Sequence, residues 1–243
     1  MITLSIGMPR AGSGWYYNLT NDIMQASGAQ NARHIRQKYH LQSILTEVNC
    51  NIGALTTHRL LAVMIPSLMG NSFVIKAHAA PTPLALYFIR KGWMQTTYIY
   101  RDPRDALLSA MENGERARQS GRINAFSHLD NFDTAMDFML DYLQIWEAWM
   151  QSQQVLHVRY EDLLINYDDE VERLIDFLHM EKANAKIDKA ISKYRPENAQ
   201  SDQKGIHFSQ GKIGRFRRKI TEEQQNTLNK AFDKYLIRMK YEI

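Results

Sequence analysis

The sequence has one cysteine, Cys50, which excludes an intrachain disulfide and a thiolate metal cluster. It has no run of about 18 apolar residues, and its start, Met1-Ile-Thr-Leu-Ser-Ile-Gly7, lacks the basic region and apolar stretch of a secretory signal. A cytoplasmic chain without a membrane span is expected. Internal repeats and low-complexity tracts are missing too, which removes solenoids and disordered tails from consideration. With only 6 prolines and no Pro/Ser-rich linker, nothing divides the chain, so residues 1–243 are expected to form a single domain. Acidic residues are absent from one stretch: Lys204, Lys212, Arg215, Arg217, Arg218 and Lys219 fall between Gln203 and Lys219 without an Asp or Glu among them. Elsewhere acidic side chains slightly outnumber basic ones. The net charge of +4 therefore reports one local anion-attracting segment and gives no ground for a nucleic-acid partner.

What is present is ordinary globular material, 44% hydrophobic and 23% charged, enough to bury a sizeable core. Four β-branched or aromatic runs stand out as strands: Ile2–Gly7, Phe73–His78, Thr96–Arg101 and Val155–Tyr160. Helical patterns lie between and after them, at Gly14–Ala26, Pro83–Lys91, Pro103–Gln119 and Asp130–Gln151. A last helix opens at Thr221, with Gln224 completing a capping box, and runs to about Met239. The alternation predicts an α/β fold with a central parallel sheet flanked by helices, and a strand-turn-helix resembling a P-loop at the N-terminus. Residues Arg195 to Ile220 show no clean period and read as a loop.

Five constellations carry chemistry. Pro9-Arg-Ala-Gly-Ser-Gly-Trp15 is a glycine-rich turn between the first strand and helix, of the kind that presents backbone N–H groups to phosphate oxygens. The Gly7-x4-Gly12 spacing approaches a Walker loop, yet Ser13-Gly14 stands where that motif needs Lys-Ser or Lys-Thr; Arg10 is the available cation. Lys76 and His78 are two apart at a strand end and so share a face: a compact cation beside a proton acceptor suited to neutral pH. Arg101 closes the third strand, and Ser109 lies two turns along the next helix, so the pair could bracket a second phosphate. Asp102 and Asp105 offer a competing structural use of the same arginines, by ion pairing or helix capping. Tyr160 ends the fourth strand and could meet a purine, as could Trp15, although core packing would also explain both. Ser209-Gln-Gly-Lys-Ile-Gly-Arg-Phe-Arg-Arg218 is a basic loop able to close over an anion. All but the last fall at strand carboxyl ends, where open α/β sheets bind ligands.

Together these residues resemble the PAPS-dependent sulfotransferase family, from Ser5 to Arg218. Pro9–Trp15 is similar to the family's 5′-phosphosulfate loop, with Arg10 for its Lys, Ser13 for its first Thr and Gly14 for its second. Lys76-Ala-His78 is similar to its Lys-Thr-His element, and Arg101 and Ser109 keep the spacing of its 3′-phosphate Arg and Ser. Tyr160-Glu-Asp-Leu163 resembles its adenine-contacting strand end. The late loop is similar to Arg-Lys-Gly-x-x-Gly, with Ser209-Gln210 in place of the Arg-Lys pair. Here the charge on the 3′-phosphate would come from Lys212, Arg215 or Arg217, and Ile191-Ser-Lys-Tyr194 is a loose counterpart of a further adenine contact.

The resemblance implies 3′-phosphoadenosine 5′-phosphosulfate (PAPS) as co-substrate, adenosine bisphosphate (PAP) as product, and no metal. It implies in-line transfer to an acceptor hydroxyl or amine, with His78 as base and Lys76 and Arg10 stabilising the departing charge. Arg10, Ala11, Gly12, Ser13, Gly14, Trp15, Arg101, Ser109, Tyr160, Gln210, Gly211 and Lys212 would hold the nucleotide. Two alternatives stand beside it: a P-loop kinase of a small metabolite using ATP and magnesium, and a non-catalytic adenosine-bisphosphate-binding module. The acceptor, small molecule or carbohydrate, is expected to meet residues 26–70 and 111–131, with Tyr39, Trp93, Arg116 and Arg118 as possible lining.

Overall fold

Every residue of Ile2–Gly7 and Phe73–Ala77 is buried, which happens when a parallel strand is covered on both faces. The computed structural model describes residues 1–181, 184–198 and 211–243. Strands β1 (Ile2–Gly7), β2 (Phe73–Ala77), β3 (Met94–Tyr100) and β4 (Val155–Arg159) form one parallel sheet in the order β2-β1-β3-β4. The register sets Ile2 opposite both Phe73 and Met94.

The helices among the described residues are α1 (Ser13–Ala26), α2 (Ala32–Lys38), α3 (Thr57–Leu68), α4 (Pro83–Arg90), α5 (Pro103–Gln119) and α6 (Phe132–Met150). They continue with α7 (Tyr160–Ile165), α8 (Tyr167–Phe177), α9 (Ala185–Lys193), α10 (Phe216–Lys219) and α11 (Glu222–Met239). One core joins Ile2, Leu4, Ile6 and Ile75 to α5, α6 and α11; the other joins Val74, Ile99 and Val158 to α1, α8 and α9. None of these helices is long and apolar enough to cross a membrane.

Local chemistry explains where elements start. Asp102 caps α5, its carboxylate accepting from Arg104 N–H at 2.9 Å, with Pro103 in the first turn. Asn131 caps α6, and Thr221 with Gln224 forms the anticipated capping box of α11. Three of the four strands end one residue earlier than periodicity indicates. His78 and Arg101 sit just past β2 and β3, while Tyr160 opens α7.

The expected loop at 195–220 contains a helical turn, α10. Phe216 is buried there under the Arg104 guanidinium, 4.3 Å from it, and four residues are too few to show a period. Helices α2, α3, α7, α8 and α9 were not anticipated.

Candidate active site

The strand ends meet at a cleft of about 490 Å³. It gathers Arg10, Gly12, Ser13, Gly14, Trp15, Lys76, His78, Arg101, Ser109, Tyr160, Gly211 and Lys212. Ala11 does not face it; this residue is fully buried and its N–H is spent on Met8 O. Gln210 lies outside the described residues.

The turn after β1 is shaped by close approach. Gly12 is the N-cap of α1 with φ 74°, and a Cβ there would come within 2.7 Å of the Tyr160 ring. The helix has no side-chain cap, so its first-turn amides open towards the cleft without an intrahelical acceptor. Arg10 also has positive φ, 64°, a conformation costing a non-glycine residue about 1–2 kcal/mol. In return its Nε donates to Ser109 Oγ at 3.1 Å, joining the β1 turn to α5.

The cations are crowded. Burial, reinforced by Arg116 and Arg101, lowers Arg10 to about 10. Burial and Arg10 lower Lys76, only 6% exposed, to about 8. Such depression marks positive charges gathered without enough anions between them. Arg101 lies 4.6 Å over the Tyr160 ring. Its Nη2 donates to Asp105 Oδ2 at 3.0 Å and to Lys212 O at 2.8 Å, while its buried Nε has no partner among the described residues.

Both readings of Asp102 and Asp105 therefore hold. Asp102 pairs with Arg104 at 2.9 Å, and Asp105 receives Arg101 and the amides of Gly214 and Phe216 at 2.8 and 2.9 Å. A single buried carboxylate thus ties Arg101 to the late loop. Below it, Glu161 accepts from Asp102 N–H at 3.1 Å and from Tyr241 O–H at 2.7 Å.

His78 Nδ1 lies 2.5 Å from Gly7 O. That carbonyl can only accept, so Nδ1 carries the proton and Nε2 keeps its lone pair. Burial and the Lys76 charge push the imidazolium down to about 3 against the upward pull of the Gly7 bond, leaving the ring neutral at physiological pH.

Trp15 is fully buried, its Nε1 donating to Tyr194 O at 2.9 Å and its ring stacking on Tyr167. Ile191–Tyr194 thus backs the tryptophan rather than lining the cleft. Of the late-loop cations, Arg215 lines the cleft and pairs with Glu112 at 2.6 Å, whereas Arg217 pairs with Glu242.

The Sulfotransferase domain family matches residues 3–240. The chain belongs to the sulfotransferase family. Solved structures share its fold at low identity. Retinol dehydratase in complex with androsterone and inactive cofactor PAP is 18% identical with TM-score 0.62, covering 97% of this chain and 80% of that one. A mouse sulfotransferase complexed with PAP is 11% identical with TM-score 0.61, covering 97% and 83%. No curated protein sequence matches.

This sulfotransferase also brings to the cleft Asn49, Asn51, Asn113 and Asn124, which lie in the segments expected to meet the acceptor but were not singled out, and Phe138 and Tyr142, which lie outside those segments. The suggested acceptor residues Tyr39, Trp93, Arg116 and Arg118 do not line it. Arg118 is spent on Ser127 O and Leu129 O, and Trp93 packs with Tyr87 and Phe88 on the surface. One overlooked signal was Gly114 inside α5. A Cβ there would lie 2.1 Å from Phe126 O, so the glycine lets the following loop pass close and deliver Phe126 to the cleft.

Proposed function

We propose that this protein moves a sulfuryl group from PAPS to a hydroxyl or amine of a small-molecule or carbohydrate acceptor, with His78 as general base. The carrying observation is the convergence of Arg10, Lys76 and Arg101 on the open N-terminus of α1, beside a neutral imidazole whose second nitrogen has no hydrogen bond to the described residues.

The residues fit the nucleotide. Two anionic ends need separated cation sets, supplied by the Arg10/Lys76 side and by Arg101, Ser109 and Lys212. Arg101 Nε, buried and without a partner among the described residues, can donate to an anion, and the uncapped first turn of α1 presents backbone amides to phosphate oxygens. Bound PAPS supplies the sulfuryl group and a leaving phosphate.

The chain's own contribution is positional and electrostatic. His78 Nε2 takes the acceptor's proton as the acceptor oxygen or nitrogen bonds to sulfur. Lys76 and Arg10 neutralise the 5′-phosphate oxygen that keeps the electron pair of the broken S–O bond. Arg10 also links the two anion subsites through Ser109, so the ends of the donor are bound by one connected frame.

Calorimetric titration with adenosine 3′,5′-bisphosphate, ADP and ATP, with and without magnesium, tests the reading. Metal-independent preference for the bisphosphate is expected. Metal-dependent preference for ATP would overturn it.

A further inference from the structure

The pairing of β3 with β4 ends at Tyr100 and Arg159. Arg101 and Tyr160, the next residue on each side, both line the cleft, so two donor-site residues stand just beyond the last rung of the ladder. The Arg101 guanidinium lies 4.6 Å over the Tyr160 ring and is held at its far end by Asp105. The backbone on which the pair stands is joined by a different bond. Asp102 N–H donates to Glu161 Oε1 at 3.1 Å, linking the residue after Arg101 to the residue after Tyr160.

The second oxygen of that carboxylate is held from outside the sheet. Lys240, with φ 61°, turns the chain back at the end of α11, and Tyr241 N–H donates to Leu236 O at 2.9 Å. The Tyr241 ring then lies under the Arg159 guanidinium, 4.2 Å from it, and its hydroxyl donates to Glu161 Oε2 at 2.7 Å. Beside it, Arg104 Nη2 donates to Glu242 O at 2.7 Å and to Asp102 Oδ2 at 2.9 Å. The short segment after α11 therefore grips both strand ends, one through Glu161 and the other through Arg104. Glu161 is only 3% exposed, so water cannot replace a hydrogen bond lost there. Burial raises its carboxyl, and the Tyr241 hydroxyl and the Asp102 amide draw it back down. The nearest cation, Arg159 Nε, stands off at 3.7 Å.

Resting on the sulfuryl-transfer reading above, we propose that Tyr241 is a positioning residue for the donor: it fixes the Glu161 carboxylate, which sets the Arg101–Tyr160 pair for the 3′-phosphate end of the nucleotide. Neither Tyr241 nor Glu161 lines the cleft, so the effect passes through the backbone at Asp102 and Tyr160. The 5′ end rests on Arg10, Lys76 and the first turn of α1 instead.

Calorimetric titration of the full chain with adenosine 3′,5′-bisphosphate and with ADP, which lacks the 3′-phosphate, tests this. Tyr241→Phe removes only the hydroxyl. The bisphosphate Kd should rise about fivefold or more and the ADP Kd less than about twofold, which narrows the preference between them. In a Glu161→Ala background the same substitution should add less than about twofold, because its route is already cut. If Glu161→Ala does not fold, as judged by circular dichroism, Glu161→Gln takes its place. A merely structural role would lower the denaturation midpoint of Tyr241→Phe and leave the bisphosphate Kd as it was. That result overturns the proposal and leaves the donor reading intact, as does an equal loss for both nucleotides or full additivity with the Glu161 substitution. Failure of the wild-type chain to bind the bisphosphate overturns both.

Discussion

The two ends of the cleft are built on different principles. The donor end rests on strand termini and a helix N-terminus, so its groups are fixed by the sheet; the acceptor end is assembled from the segment beside β2, the loop after α5 and one face of α6. Backbone and buried ion pairs hold the first, with Asp105 binding Arg101 and the amides of Gly214 and Phe216 at once. Side chains on irregular segments make the second. A shared donor and a variable acceptor require this division: the part that recognises a constant ligand can be rigid, and the part that chooses must sit where sequence change leaves the sheet alone.

The contrast can be broken at the point where the two ends meet. His78→Ala should lower kcat by roughly 10²–10⁴-fold while bisphosphate affinity is unchanged, because a general base acts on the acceptor's proton and not on donor binding. Steady-state kinetics with parallel calorimetry checks both halves, and a matching loss of bisphosphate affinity would place His78 in the donor end.

Asp105→Asn attacks the rigid end alone. It removes the charge that holds Arg101 and two loop amides, and hydrogen bonds to charged groups contribute about 1.5–3 kcal/mol. Bisphosphate affinity should fall about 10–100-fold, with the acceptor KM at saturating donor little altered. Denaturant unfolding separates this effect from a general loss of stability.

The pH profile sharpens the comparison further. Lys76 is a cation below about 8 and neutral above it, so kcat/KM for the donor should fall as pH rises through that value. His78, pushed down to about 3, contributes no acid limb between about pH 5 and 8. Lys76→Arg should remove the alkaline limb, since arginine keeps its proton throughout this range.

The smallest effect is expected at the adaptable end. Gly114→Ala forces the Phe126 backbone away from α5, and the acceptor KM should rise several-fold, about 3–10-fold, as Phe126 moves. Bisphosphate affinity should not move, and if it does the two ends are not independent.

The same division decided what could be read from residues alone. Lys76, His78, Arg101 and Tyr160 were legible because strand periodicity fixes which residues reach a carboxyl edge, and the family's spacing reinforced them. Pro103 and the Thr221–Gln224 capping box likewise marked helix starts correctly. Asn49 and Asn51 were not legible, since their position depends on a single stretch of backbone pairing with Lys76 across the chain, which leaves no period. Phe138 and Tyr142 look like ordinary members of an amphipathic helix; only the arrival of Phe126 against them makes them a wall. Ala11 is the one member of its loop motif that turns inward, away from the cleft, which a motif by itself does not say.

The sheet order has a kinetic consequence. β1, the first of the four strands in chain order, is central, and its partners are β2 and β3, with Ile2 waiting for Phe73 and Met94. No strand of the sheet can pair with an adjacent hairpin partner, so nearly all sheet formation must close long loops. Refolding should accordingly be slow for the chain's size, with the apolar Ile2–Gly7 segment unpaired and prone to self-association until its neighbours arrive.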